Sequence, residues 1–292
     1  MNRFSRRNAV LQRVAGGAVL IGVAAAALAQ TAVEPAASAP AAALPSAAPA
    51  SAPIFEGAIG PLLSVTPEYS GASARKVGVT PGFYLRWGRW TVSNAGGFRT
   101  RRDDDVARGL ALDVGRDSAL RASLALRIDN GRRSDVSGAL AGIDDVRRTL
   151  RLRGTATWLL GGGWKLGAGL SSDLLGRGGG QIADFGIGHD QRLSPRLTWS
   201  VGSGVSWGSS RYMRSWYGVS PDAALRSGYA VYTPGSGLRE VSVGTGFRVE
   251  INPRWVAFGD ASASRLLGPA RDSPLTGSPR QWSVGGGVAY RF

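Results

Sequence analysis

The chain has 292 residues, 43 of them glycine, with 2 methionines, one histidine (His189) and no cysteine. Without cysteine there is no disulfide scaffold, thiol catalysis or Cys-based zinc site, and a single histidine rules out a multi-histidine metal centre. The 35 Lys and Arg against 20 Asp and Glu give a formal charge of +15, but 9 tryptophans and a mean hydropathy of −0.06 exclude both a disordered chain and a helical membrane protein.

Arg3, Arg6, Arg7 and Arg13 precede an apolar, small-residue run from Val14 to Leu28, which ends in Ala27-Leu28-Ala29. A basic stretch, a short apolar stretch and an Ala-x-Ala site predict a signal peptide over 1–29, cut after Ala29, so the chain leaves the cytoplasm. Cleavage removes four positive charges and leaves 31 basic against 20 acidic residues, a net of +11. Residues 30–53 are nearly all Ala, Pro and Ser. Such a segment cannot bury enough apolar surface to offset its ordering entropy, which predicts a flexible tether with a root-mean-square span of about 25–30 Å.

From 54 to 292 the dominant signal is alternation. Leu120, Ala122, Leu124, Leu126 and Ile128 share one parity, with Arg121, Ser123, Arg127 and Asp129 on the other. The same pattern sets Leu150, Leu152, Ala156, Trp158 and Leu160 against Arg151, Arg153, Thr155 and Thr157, then Trp164, Leu166, Ala168 and Leu170 against Lys165 and Ser171. Leu197, Trp199, Val201, Val205 and Trp207 oppose Thr198, Ser200 and Ser206, and Val241, Val243, Phe247, Val249 and Ile251 oppose Ser242, Arg248 and Glu250. Each segment reads as a strand with one apolar and one polar face.

A soluble sandwich also alternates, so three further features decide the class. The segments reach the ~9–11 residues that a tilted strand needs to cross a bilayer, longer than the usual soluble strand of ~5–6. Aromatics gather at segment ends: Trp87, Trp90, Trp158, Trp164, Trp199, Trp255 and Trp282, as in an interfacial girdle. Short connections at 87–89, 115–117, 161–163, 193–195 and 252–253 alternate with long ones near 67–76, 99–105, 130–146, 176–180, 210–237 and 267–280. Together these predict an all-β fold, a transmembrane antiparallel up-and-down β-barrel of about 12 strands in outer-membrane lipid, with both termini periplasmic. Ten strands is the fallback, because 90–98 and 181–191 alternate poorly.

No catalytic, cofactor or metal residue is nominated. Gly161-Gly162-Gly163 and Gly178-Gly179-Gly180 lack the following Lys-Ser/Thr of a phosphate cradle and read as turns or close strand approaches. His189 and Asp190 are neighbours on a strand and point to opposite faces, which denies a general base its partner. Asp103-Asp104-Asp105 reads as a solvated loop. The basic residues are spread along the chain, and export removes the usual nucleic-acid partner. The polar parity is the most informative chemistry: Arg121, Arg127, Arg151, Arg153, Lys165 and Arg248 would line the lumen, where they either pair with carboxylates or favour anion passage.

Trp282, Val284, Val288, Tyr290 and Phe292 alternate to a terminal Phe, a pattern similar to the terminal-strand signal read by the outer-membrane barrel assembly machinery. Trp216-Tyr217-Gly218-Val219-Ser220-Pro221, Ser227-Gly228-Tyr229 and Tyr232-Thr233-Pro234 resemble the long loop of the MipA/OmpV outer-membrane proteins. So do Glu68-Tyr69-Ser70-Gly71, the stretch 140–146, and 266–275 with Asp272, Ser273 and Pro274. The resemblance, spanning 55–292, implies an outer-membrane barrel without catalytic residues. One branch of the family is a scaffold that brings a murein-cleaving lytic transglycosylase to a bifunctional peptidoglycan synthase, and others are antigens, adhesins or osmotic-response proteins. It therefore implies a scaffold for periplasmic murein hydrolase and peptidoglycan synthase, with a small anion-favouring pore or a surface adhesin as the alternative.

Overall fold

The computed structural model describes residues 55–94, 108–116 and 119–292. The signal-peptide and tether segments, and the acidic run Asp103–Asp105, lie outside the described residues. Twelve antiparallel strands among the described residues close into one barrel. In chain order they are β1 (Phe55–Pro67), β2 (Arg75–Trp87), β3 (Trp90–Ser93), β4 (Gly109–Arg116), β5 (Leu120–Asp129), β6 (Thr149–Gly161), β7 (Trp164–Asp173), β8 (Gln181–Arg192), β9 (Leu197–Gly208), β10 (Gly237–Glu250), β11 (Trp255–Leu266) and β12 (Arg280–Arg291). Each pairs with its sequence neighbours, and β1 pairs with β12. The strand count is the expected twelve. The poorly alternating 181–191 is a full twelve-residue strand, whereas 90–98 contributes only the four residues of β3.

The two faces sort by parity. Leu124, Leu126 and Ile128 are exposed while Ala125 between them is only 3% accessible, so the apolar side chains of β5 face outward and the polar parity faces in. Solvent exposure of so many leucines and valines would be costly in water; around a closed barrel it is the lipid-facing band. Six tryptophans, Trp87, Trp90, Trp158, Trp164, Trp199 and Trp255, are exposed close to the short turns, which makes the aromatic girdle heaviest at that end. At the other end Trp282 carries the Arg75 guanidinium 3.8 Å above its ring.

At the seam between first and last strands the ladder is interrupted by a proline. Gly57 and Phe292 exchange two backbone hydrogen bonds of 3.0 Å. Alternation along the register then puts Pro61 at a bonded position opposite Val288, where it has no N–H to donate. The assigned pairing accordingly skips from Ile59↔Tyr290 to Leu62↔Gly287. At this point the strands close up through Gly60: a Cβ there would lie 1.8 Å from the Val288 carbonyl oxygen. Gly60→Val is expected to prevent closure, seen as loss of the heat-modifiable folded band after refolding into detergent. Pro61→Val, which restores one ladder bond, should keep that band and gain about 1 kcal/mol.

Candidate functional site in the loop cap and the lumen

The long connections are not open loops. Within the 209–236 connection, α1 (Ser210–Tyr217) starts where the Ser209 side chain accepts from the Tyr212 N–H. The next helix, α2 (Pro221–Ser227), has Ser220 as its N-cap, Pro at its first turn and Gly228 in the left-handed conformation at its end. These are the residue types that such positions favour. A short third helix, α3 (Gly268–Arg271), lies in the β11–β12 connection.

The helices bury their apolar side chains in two clusters. Tyr212, Met213 and Tyr217 pack with Leu266 and Ala270, with Trp216 against them. Tyr69 and Ala72 pack with Leu140, Ile143, Val219, Ala223 and Leu275. The second cluster draws on the connections β1–β2, β5–β6 and β9–β10, which leave the ring a third of a turn apart, so a shared core has to span the mouth.

Hydrogen bonds tie the same segments together. The Tyr69 hydroxyl donates to the Leu275 carbonyl at 3.0 Å, Ser70 and Tyr217 hydroxyls lie 2.7 Å apart, and Ser273 Oγ donates to the Tyr217 carbonyl at 2.6 Å. Arg132, 5% accessible, donates from Nη1 to the Trp216 carbonyl at 2.6 Å and from Nη2 to the Asp144 carbonyl at 3.3 Å. Burial holds the Tyr217 phenol well above its ordinary pKa and pushes the Arg132 guanidinium down. Burial is the leading cause in both.

The fragments that resemble a known family are thus brought together in space. Trp216, Tyr217 and Gly218 at the end of α1, Pro221 at the start of α2, and Ser273 and Pro274 after α3 belong to one packed cap. Asp272 sits at its surface and accepts from Arg271 Nε at 2.8 Å. Trp282, Val288 and Tyr290 lie on the outward parity of β12, which Phe292 continues one residue past the strand, with the Tyr290 ring 5.3 Å from Trp255 and the Phe292 ring 6.3 Å from Phe55.

Below the cap the inward basic residues meet carboxylates. Arg151 Nε lies 2.6 Å from Asp129, Arg153 Nη1 2.7 Å from Asp184, Lys165 Nζ 2.9 Å from Asp190 and Arg248 Nη2 2.6 Å from Glu250. Arg121 and Arg127 share the inward parity of β5. Arg151 is 2% accessible and also donates to the Gly179 carbonyl at 2.6 Å. Its guanidinium is 5.7 Å from the Tyr212 ring of α1, with Arg239 on the same ring at 6.0 Å, so the cap rests on the lumen's cations. His189 and Asp190 do face opposite sides: Asp190 holds Lys165, while His189 lies 4.7 Å from Trp164 and within 3.2 Å of Gln191 Oε1.

Several of these partners escape sequence reading. Arg239 is out of phase with Arg248 because the β9–β10 register shifts between Leu238 and Glu240; a bulge flips parity without any local signature. Asp184 lies in the strand that alternates poorly. Arg132 sits in a long connection, where no periodicity points inward.

Pairing decides what these charges do. A buried cation with its partner removed is far more costly than the pair is stabilising. Arg151→Leu, which leaves Asp129 without its guanidinium partner, is therefore expected to lower unfolding stability in detergent and urea by about 3–5 kcal/mol. The double variant Arg151→Leu/Asp129→Leu should recover most of that loss, and additive losses would contradict a direct pair.

The model of the family described as MltA-interacting protein MipA matches residues 59–292. The MltA-interacting protein of Escherichia coli K12 is 31% identical over 99 residues, covering 33% of this chain and 38% of the relative. Outer membrane protein Omp26La of Vibrio anguillarum is 33% identical over 92 residues, covering 31% and 34%. The matched stretch therefore spans well under half the length of these curated relatives. Among solved structures, the COG4313 outer membrane channel of Pseudomonas putida F1 aligns with a TM-score of 0.38 at 12% identity, over 86% of this chain and 97% of that one. Pseudomonas putida OprB aligns with a TM-score of 0.42 at 7% identity, over 82% and 94%. With twelve strands closed in a ring and the family match running the length of that ring, the chain belongs to the MipA family of outer-membrane β-barrel proteins.

Proposed function

We propose that the protein is a non-enzymatic scaffold of the outer membrane that holds a murein hydrolase and a peptidoglycan synthase near the barrel's periplasmic turns, with residues 30–53 as the tether that reaches them. The carrying observation is the cap. Its shared core spans the long-connection end, and ion pairs brace the lumen below it, so the short-turn end and the tether are what the barrel offers to partners. The Escherichia coli relative is, by name, a protein that interacts with MltA, and that name supplies the enzyme class. The outward Trp282, Val288 and Tyr290 of β12, with Phe292 just past it, serve insertion by the barrel assembly machinery and contact with lipid.

Two features weigh against the alternatives. Four of the six inward basic residues first proposed for anion passage are held by carboxylates within 2.9 Å, which leaves little free positive field for an anion. The aromatic side chains Tyr212 and Tyr217, which an adhesin would present outward, are buried in the cap.

Affinity capture from crosslinked envelopes tests the reading. The full chain is expected to retain a murein hydrolase or synthase, and a chain lacking 31–53 should retain several-fold less. Unchanged capture without the segment would remove the tether's part, and no such enzyme on the full chain would remove the scaffold.

A further inference from the structure

The inner wall formed by β8–β11 is lined with glycine and serine, and a cavity of about 530 Å³ lies against it. Four charged residues line that cavity: Lys165, Asp190, Arg248 and Asp260. Lys165 is held by Asp190 at 2.9 Å and Arg248 by Glu250 at 2.6 Å. Asp260 has no hydrogen bond or ion pair among the described residues, and it is exposed to the cavity. The charge left over in this lumen space is negative, although the chain as a whole is strongly basic.

The surroundings of Asp260 are cleared by register. Gly246 on β10 and Gly285 on β12 stand directly opposite it, so neither neighbouring strand puts a side chain directly across from the carboxylate. A Cβ at Gly285 would come 3.4 Å from Asp260 Oδ1. The same row continues through Ser200, opposite Gly246, to Asp190. A carboxylate facing an open cavity with glycine on both flanks keeps its acceptor sites open to a donor from solution.

We infer that this cavity binds a small organic cation, an ammonium or guanidinium group seated on Asp260 with its body along the glycine wall of β8–β10. A hard metal ion is the poorer fit, since calcium takes six to eight oxygen ligands and magnesium an octahedron, and no group of three or more acidic or histidine side chains among the described residues could hold a metal. An anion is repelled by the one uncompensated charge. The inference is independent of the scaffold reading, because it concerns the lumen and leaves the turns and tether untouched.

Calorimetric titration of the detergent-solubilised full chain with agmatine, which carries both cationic groups, tests it, with N-acetylaspartate as the anionic control. Saturable binding of one agmatine per barrel is expected, with none of the control. Asp260→Asn should weaken binding about tenfold or more, the size of a charge-assisted contact, and Asp260→Glu should largely retain it. Asp260 has no partner to lose, so the Asn variant is expected to keep the heat-modifiable folded band. Should it not, Gly285→Val gives the second route: it keeps the charge, crowds the carboxylate and should weaken agmatine in the same direction. Absence of saturable agmatine binding to the wild-type chain, equal affinity in a folded Asp260→Asn or Gly285→Val barrel, or preference for the anion would overturn the inference.

Discussion

Hydrocarbon offers no partner for a backbone N–H or C=O, and every other feature of this molecule follows from meeting that constraint. Twelve strands among the described residues meet it by pairing in a closed ring. Closure depends on β1 meeting β12, where Pro61 stands at a bonded position. The cost is small, one ladder bond, because Gly60 allows the Val288 carbonyl to approach closely and the flanking pairs from Ala58 to Val65 hold the register. The terminal Phe292 then ties back to Gly57 through two backbone bonds, which fixes the chain's last residue at the end where its first described residues lie.

Closure makes an interior, and the interior raises a second problem. Side chains of one parity must occupy a space partly shielded from water, and on β5–β7 many of them are cations. Their desolvation would exceed any gain if they stood alone, so the solution is reciprocal: Asp129 and Asp190 from adjoining strands, Asp184 from two strands away and Glu250 from the same strand meet Arg151, Lys165, Arg153 and Arg248 at hydrogen-bond distance. On β1, β2, β11 and β12 the solution is apolar, with Ala58, Tyr84, Val256 and Ala289 packed together inside. Between these two walls the glycine-lined side remains open. The cap covers the long-connection end by a third means, a core of aromatic and aliphatic side chains tied by hydrogen bonds from Tyr69, Arg132 and Ser273 to backbone carbonyls.

Much of this could be read from the residues. Period-two alternation in 120–129, 150–160 and 241–251 gives strands and faces, because each strand has lipid on one side and lumen on the other. Connection lengths give the count of twelve and the two unlike ends. Other features were hidden for identifiable reasons. A strand as short as β3 has too few residues to show a period. The phase of Arg239 is lost at a bulge. Asp260 follows Val256 and Phe258 on the same inward parity, so the apolar residues of β11 mask its polar face. The helices α1 and α2 lie in a stretch that reads as a loop, and their packing across the mouth depends on partners from 69–72, 140–143 and 275, which are far away in sequence. The fragments 68–71, 140–146, 216–234 and 266–275, noticed separately by resemblance, acquire a common physical meaning only as the walls of one core.

The claim on which the account rests is that the first and last strands are joined. The chain has no cysteine, so a single engineered pair reports on that contact without background. Ser64 and Gly285 are directly opposite each other on β1 and β12 at a non-bonded position, the spacing that a disulfide spans. In the membrane-inserted chain, Ser64→Cys/Gly285→Cys is predicted to crosslink within one molecule on mild oxidation, giving a monomer whose folded band resists heating until reductant is added. Free thiols after oxidation, or crosslinked dimers in place of the intramolecular bond, would contradict a closed ring.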